Sequence, residues 1–396
     1  MSKRFKAICI TFIGLVSFSF PATGAEMSSS ELMQELRAMK SRIEKLETAL
    51  EEKDARIEAL TETNKTEKIS DAEAPDMGWL NSITLSGAVE VEAGRESMDY
   101  SDPLTQDTDS SDIALATVEL GIDADINDHV SGHVLLLWEE DDTEPVDLDE
   151  GFISISGGDR IPMYVDAGKM YVPFGSFGSH FISDPLTLEI GETRESAIKA
   201  GFSNDIFDIS ISFFNGDIDE LTDDDEIGSM VGSAVFTLPE ERVPGFGLSM
   251  GVSYISNIAD SDGLSGEVAP GAVNDYVSGI GFFASVSIME RFFIEAEYLG
   301  AADSFAPGEL SFDNGLSYKP RAYNFEMAWS ANDELELGVK YEGGSDLGDF
   351  LPEKQYGCVL SYSIFENTSL GIEYLHGEFE NSDERDLITT QLAIEF

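Results

Sequence analysis

Basic side chains are scarce in this sequence: Lys and Arg number 23 against 77 Asp and Glu, which gives a net charge of −54 over 396 residues. Binding to nucleic acid is close to excluded, because affinity for phosphates depends on Lys and Arg. Residues 77–396 hold 63 of the acidic and 12 of the basic side chains, so nearly all the excess acid belongs to one C-terminal region. The chain has 25 Phe, too many aromatic residues for a disordered acidic tail, and we expect this region to fold.

Cysteine and histidine are also rare. The two cysteines are Cys9 and Cys358, and Cys9 lies in the N-terminal apolar segment, so no disulfide framework is expected in the mature chain. The four histidines are scattered, and no motif pairs a nucleophile with a base. We therefore predict neither an enzyme nor a bound cofactor or metal.

The N-terminal apolar run is too short for a transmembrane helix. It extends from Ala7 to Phe20, follows three basic residues and precedes small residues ending at Ala25, whereas a spanning helix needs about 20 apolar residues. This arrangement predicts a signal peptide over residues 1–25. A membrane anchor is the alternative.

Residues 26–60 show a heptad repeat, and neither Gly nor Pro occurs between positions 31 and 60. The repeat predicts a periplasmic coiled coil of about four heptads, followed by a polar linker at residues 61–76. Arg42, Ile43, Leu46 and Glu47 resemble a short motif of trimeric coiled coils. We expect a homotrimer, although the mixed core does not decide between two strands and three. The predicted oligomerisation residues are Leu36, Arg42, Ile43, Leu46, Glu47, Leu50 and Ile57.

From Trp79 onward, apolar and polar residues alternate with the period of two that is typical of half-buried strands. We count sixteen candidate strands, with short turns alternating with longer acidic loops. This predicts an all-β transmembrane barrel of about 16 antiparallel strands at residues 77–396, in the outer membrane of a Gram-negative bacterium. The barrel would contact lipid and lipopolysaccharide, and an even strand number places both chain ends in the periplasm. The 320 residues are too few for a plugged 22-stranded transporter, so a water-filled channel is expected.

The third long loop, residues 174–195, mixes apolar and charged side chains, whereas we interpret the other loops as plainly polar. Apolar side chains in a loop need a surface to pack against, and we expect this loop to fold inward and narrow the pore. Packing outside the lumen is the alternative. Charged groups at a constriction set the selectivity of channels. The candidates are Asp184, Glu189, Glu192, Arg194 and Glu195.

Three lysines fall inside predicted strands: Lys169, Lys199 and Lys340. A Lys that faces lipid at mid-membrane costs about 2–4 kcal/mol, so all three should face the lumen, and Lys169 and Lys199 join the predicted substrate path. Lys199 alternates with apolar neighbours, as this requires. Lys169 instead shares a face with Met163 and Val165, which requires a bulge or a different register. Neutralising nearby carboxylates is an alternative role for these lysines.

The fifth strand and third loop resemble the signature stretch of the LbtU-type siderophore porin family. The similar segments are Gly168–Gly175 and Ser183–Glu195, and the order of export signal, short coiled coil and acidic barrel ending at Phe396 is also similar. The resemblance implies a plug-free outer-membrane channel for a ferric siderophore. An anionic complex would then need a basic track formed by Lys169, Arg194 and Lys199.

Two other functions stay open. The negative charge of the barrel would favour cations, as in a general cation-preferring diffusion porin. The coiled coil could also contact the cell wall, which would make the chain a structural tether of the envelope.

Overall fold

The computed structural model describes residues 82–140, 143, 145–158, 161–221, 226–239, 242–269 and 271–396. The predicted signal peptide, coiled coil and linker, at residues 1–25, 26–60 and 61–76, lie outside the described residues and stay predictions. Among the described residues, no helix has the length and apolar character needed to cross a membrane.

Sixteen antiparallel strands of the described chain close into a barrel, which confirms the predicted strand number. Sequence neighbours pair in order, and β1 closes the ring by pairing with β18. The barrel strands are β1 Ile83–Asp99, β2 Thr108–Asn127, β3 Val130–Trp138, β4 Asp147–Gly157, β5 Ile161–Tyr171, β6 Arg194–Ser203, β7 Phe207–Phe214, β9 Ser229–Leu238, β10 Phe246–Ile255, β12 Gly279–Ile288, β13 Phe292–Ala301, β14 Arg321–Ser330, β15 Leu335–Ser345, β16 Lys354–Phe365, β17 Thr368–Glu378 and β18 Glu384–Glu395. Two further strands, β8 Asp219–Glu220 and β11 Ala272–Val273, form a separate parallel pair.

The strands carry apolar side chains on the outside of the barrel and polar ones on the inside. On β14, Phe325 and Met327 are 41% and 46% exposed, whereas Glu326 between them has no exposed surface. Successive side chains of a strand point to opposite faces, and an outer band of exposed apolar residues is what a bilayer-spanning barrel requires. The predicted alternation on β13, β14 and β15 is confirmed.

Connections at the two ends of the barrel differ in length. At one end they have 2 to 7 residues, and at the other 5 to 23. Since outer-membrane barrels have short periplasmic turns and long outer loops, the long loops mark the extracellular end. The long loops are L1 (100–107), L2 (139–146), L3 (172–193), L4 (215–228), L5 (256–278), L6 (302–320), L7 (346–353) and L8 (379–383).

Long loops also contribute a hydrophobic core, so the expectation that loops other than L3 are plainly polar is wrong. Ile258 and Leu264 of L5 and Phe305 of L6 have no exposed surface. Phe312 of L6 stacks on Phe350 of L7 with ring centroids 5.3 Å apart. These residues follow neither a helical nor a strand period along the chain, because they come together only when separate loops fold over one another. L5, L6 and L7 therefore contribute buried apolar side chains at the extracellular end.

Candidate pore constriction

L3 crosses the inside of the barrel, as predicted from its apolar residues. It leaves β5 at the extracellular end and packs against β13, β14 and β15 through its short helix, Leu186–Gly191. In the ring of sixteen strands, β15 lies eight strands from β5, on the opposite wall. The loop therefore spans the lumen before it returns to β6.

Four glutamates on the inner wall hold L3 by accepting hydrogen bonds from its backbone. The donor and acceptor atoms are Ser176 N to Glu297 Oε1 (2.6 Å), Phe177 N to Glu297 Oε2 (3.2 Å), His180 N to Glu326 Oε2 (2.8 Å), Ile182 N and Ser183 N to Glu373 Oε2 (2.8 and 3.1 Å) and Leu186 N to Glu342 Oε2 (2.9 Å). Hydroxyl groups of Ser179, Ser183 and Thr187 donate to three of the same carboxylates. Hydrogen bonds to ionised groups are about twice as strong as neutral ones, so these contacts fix the path of the loop.

Lys340 lies between the wall and the loop, with a fully buried side chain. Its Nζ atom is 3.4 Å from Glu326 Oε1 and 3.5 Å from Glu342 Oε1, and it donates to the carbonyl oxygen of Ser183 at 3.2 Å. The ammonium group also lies 4.6 Å from the centre of the Phe181 ring. Lys340 points inward as predicted, but L3 covers it and no solute can reach it. It stabilises the anchoring carboxylates.

His180 contacts the part of the wall nearest the periplasm. Its Nδ1 atom lies 2.9 Å from Oε1 of Glu336, which is the second residue of β15 after a short turn. The ring also packs against Phe293, at 5.3 Å between centroids. The hydrogen bond to Glu336 raises the pKa of His180, with the nearby carboxylates adding to the effect and burial opposing it. L3 therefore reaches close to the periplasmic end of the barrel, where His180 contacts a carboxylate.

Three of the predicted acidic residues lie close together, with side chains that are not buried between L3 and the wall. Asp184 is exposed, and Glu189 and Glu192 are half-buried. Asp184 is close enough to Glu92 on the inner face of β1 for their charges to interact, so Asp184 faces the lumen. Enclosure by the lumen raises the pKa of all three carboxyl groups, that of Glu192 to about 7, with neighbouring negative charges adding to the effect.

The predicted residues at the end of L3 have other surroundings. The Arg194 guanidinium pairs with Asp149, which is 2% exposed and also accepts a hydrogen bond from the Tyr171 hydroxyl at 3.2 Å. Glu195 interacts electrostatically with aspartates of L4 and L5 rather than with Asp184. Glu195 therefore lies apart from the acidic group formed by Asp184, Glu189 and Glu192. Arg194 is paired with Asp149, and its charge also acts on Glu192.

The two strand lysines of the predicted substrate path lie on different faces. Lys199 points inward, with Nζ 3.0 Å from Asp166 Oδ2 and 5.6 Å from the Tyr164 ring centre.

Lys169 shares the outer face with Met163 and Val165, and β5 pairs with β6 without a register shift, so the prediction that Lys169 faces the lumen is wrong. Its Nζ donates to the Leu148 carbonyl oxygen at 2.9 Å and lies 3.5 Å from Asp147 Oδ2. Because these partners lie at the extracellular end of β4, the ammonium group of Lys169 lies near the rim of the barrel and not at the middle of the membrane.

Sequence reasoning missed one basic residue of the lumen, Arg385 on the inner face of β18. Its Nη2 atom donates to Gln355 Oε1 at 2.8 Å, and its charge acts on Glu189. Arg385 lies in a run of charged residues, so the sequence around it shows no alternation of apolar and polar side chains from which its inward orientation could be predicted. The glutamates that anchor L3 lie on the inner face, as the alternation of each strand requires, but no local pattern shows what they bind.

Several curated proteins are similar to this chain in sequence. No family model matches this chain. A UPF0422 protein of Coxiella burnetii is 30% identical over 265 residues, covering 63% of this chain and 56% of the relative. A UPF0422 protein of Legionella pneumophila is 26% identical over 339 residues, covering 74% and 58%. The chain therefore spans a little over half the length of these curated relatives.

Solved structures share the barrel. The outer membrane channel DcaP of Acinetobacter baumannii has a TM-score of 0.55 at 14% identity, over 79% of this chain and 97% of that one. An anion-selective porin from Comamonas acidovorans has a TM-score of 0.56 at 12% identity, over 80% and 99%. The described chain has the fold of an outer-membrane porin. At these identities the likenesses show the fold alone, and they do not confirm the resemblance to LbtU-type siderophore porins.

Proposed function

We propose that the chain forms a passive, water-filled channel of the outer membrane that prefers small cationic solutes. The carboxylates of Asp184, Glu189 and Glu192, which border the open lumen, carry this proposal. The charges of Arg194 and Lys199 are offset by Asp149 and Asp166. A constriction with an excess of carboxylates concentrates cations and repels anions.

Charge rather than fold supports the cation preference. The porin from Comamonas acidovorans with a similar barrel is described as anion-selective, at 12% identity to this chain. Here residues 77–396 carry 63 acidic and 12 basic side chains. Since a fold can serve either sign of ion, the residues at the constriction decide the preference.

The reversal potential of the purified protein in a planar bilayer under a KCl gradient tests this proposal. We expect the sign of a cation-selective channel. The combined variant Asp184→Asn/Glu189→Gln/Glu192→Gln should move the potential toward zero. A matched control removes three exposed carboxylates from periplasmic turns, in Asp205→Asn/Asp333→Asn/Glu366→Gln, and should leave the potential unchanged. Anion selectivity of the unmodified protein would refute the proposal.

A ferric siderophore is the narrower candidate for the solute, and it rests on the resemblance of residues 168–195 to the LbtU-type family. Those residues include L3, along which any bulky solute would pass. Lys169 lies on the outer face, and Arg194 and Lys199 are each paired with an aspartate, so they form no joint basic track. We therefore favour a neutral or cationic complex over an anionic one.

Blockade of single-channel current by a panel of ferric siderophores of different charge tests the narrower candidate. Concentration-dependent block by a neutral or cationic member would support it. If no member of the panel reduces the current, the general diffusion porin is the better description.

The proposal for the assembly concerns residues outside the described part of the chain. A trimeric periplasmic coiled coil, with Leu36, Ile43, Leu50 and Ile57 in its core, would hold three barrels together and could contact the cell wall. Native mass spectrometry in mild detergent tests the trimer, and a monomeric mass would refute it. Deletion of residues 31–60 tests the tether, which requires a weakened envelope with unchanged conductance.

A further inference from the structure

L5 also folds inward and packs against L3. Ile258, Ala259 and Leu264 of L5 have no exposed surface. The short L5 helix, Asp262–Ser265, contacts the L3 helix Leu186–Gly191. L3 is therefore held on one side by the barrel wall and on another by L5.

Two successive residues of L5 contact the end of L3 closely. The backbone N–H of Asp262 donates to the carbonyl oxygen of Glu192 at 2.8 Å, and the Asp262 carboxylate accepts from the backbone N–H of Arg194 at 3.3 Å. A Cβ atom on Gly263 would lie 2.0 Å from the carbonyl oxygen of Glu189, so only glycine allows this approach. These contacts place Asp262 where L3 returns to β6, at the extracellular end of the constriction.

A buried carboxylate two residues earlier holds L5 in position. Asp260 has no exposed surface and accepts hydrogen bonds from Ile218 N (3.2 Å), Ser229 Oγ (2.6 Å) and Asn257 Nδ2 (3.0 Å). These donors come from L4, β9 and L5, so Asp260 ties three segments together. Since buried polar groups are costly to leave unpaired, this network fixes the backbone that carries Asp262. The Asp262 residue itself stays exposed.

We propose that Asp262 is a selectivity residue of the channel, and that L5 forms the second part of the constriction. Its carboxylate adds a fourth negative charge next to Glu192 at the extracellular entrance. This inference rests on the proposed cation preference and specifies a residue for it. A fixed charge at an entrance raises the local cation concentration, and salt screens the effect. One unit charge about 6 Å from the ion path changes that concentration up to roughly threefold in water at low salt.

The variant Asp262→Asn separates charge from structure, because the amide oxygen can still accept from Arg194 N–H. We expect a conductance up to roughly threefold lower than that of the unmodified protein in about 30 mM KCl. The two conductances should be equal in 1 M KCl, where the Debye length is about 3 Å. The reversal potential should move toward zero. Asp205→Asn, which removes an exposed carboxylate from a periplasmic turn, is the matched control and should change neither quantity.

Other results would overturn the inference. Unchanged conductance and reversal potential of Asp262→Asn at low salt would show that the charge is irrelevant to permeation. An equal loss of conductance at 30 mM and 1 M KCl would show a structural effect. Gly263→Ala provides a second measurement, because a Cβ there must displace L5 from L3 and should increase open-channel noise. If the unmodified protein is not cation-selective, the proposed function fails. If the unmodified protein is cation-selective and Asp262→Asn has the same conductance and reversal potential, only this inference fails.

Discussion

Replacing Lys340 by Met should loosen L3 without breaking the barrel. The Lys340 side chain is buried between Glu326 and Glu342, neither of which has any exposed surface. Removing one partner of a buried ion pair costs about 3–5 kcal/mol, because the remaining charge stays buried without compensation. Met has a similar volume and can still contact the Phe181 ring, so lost packing should add little. Most of the cost should fall on the attachment of L3.

Single-channel recording in a planar bilayer measures this effect. We expect Lys340→Met to show open-channel noise and transitions to larger conductance as L3 leaves the wall. Detergent-resistant folding of the barrel should persist, since the ring of strand pairing does not depend on the loop. Lys199→Met is the matched control. It also breaks an inward-facing lysine–aspartate pair, but the contacts of Lys199 are with Asp166 and Tyr164 of β5, so its loss should not loosen L3.

Two results would refute this reasoning. The first is a Lys340→Met channel as quiet as the unmodified one. The second is equal noise in Lys199→Met, which would mean that loss of any lumen lysine disturbs the current. The double variant Lys340→Met/Glu326→Gln adds a quantitative check, because it removes one of the two carboxylates left uncompensated. It should be quieter than the single variant, and the difference measures the coupling between the two residues.

Two further predictions concern pH. Burial and neighbouring negative charges raise the pKa of Glu192 to about 7, so this carboxyl gains a proton as the pH falls from 8 to 6. Cation selectivity from reversal potentials should fall over that range, and Glu192→Gln should remove most of the change. The second prediction concerns alkaline pH. The hydrogen bond to Glu336 raises the pKa of His180 above the ordinary value of 6.5. The contact therefore stabilises L3 fully below pH 6.5, and this contribution is lost as the pH rises through the folded-state pKa. Open-channel noise should increase at alkaline pH, and His180→Asn should be noisy at every pH; a His180→Asn channel with unmodified noise would contradict this role.

The strands were predictable from sequence because their signal is local. Alternation with a period of two and the rhythm of short and long connections both lie within about twenty residues, and sixteen strands followed from them. Lys169 was misplaced for a physical reason. The cost of a lysine facing lipid applies at mid-membrane, whereas Lys169 lies near the end of its strand and reaches Asp147 at the rim. Its depth depends on strand tilt and stagger, which no local pattern gives.

The constriction was predictable in part. The apolar residues of L3 indicated that it folds inward, but the order of contacts with Glu297, Glu326 and Glu373 depends on which strands face each other across the barrel. The role of L5 was missed for the same reason. Asp262 and Gly263 show no pattern of their own, and they matter because Glu192 and Glu189 lie next to them, about seventy residues earlier in the chain.

The acidic side chains of the barrel have two separate roles: some anchor L3 to the wall, and others face permeating solutes. Glu326, Glu342 and Glu373 lie behind L3 with almost no exposed surface, and their lone pairs are taken by loop N–H groups, hydroxyls, side-chain amides and Lys340. A permeating ion cannot contact them, because L3 covers their side chains. The carboxylates of L3 and L5 that border the open lumen are a much smaller set. The cation preference should therefore be weaker than the net charge of the chain suggests, and it should respond to single substitutions at Glu192 or Asp262.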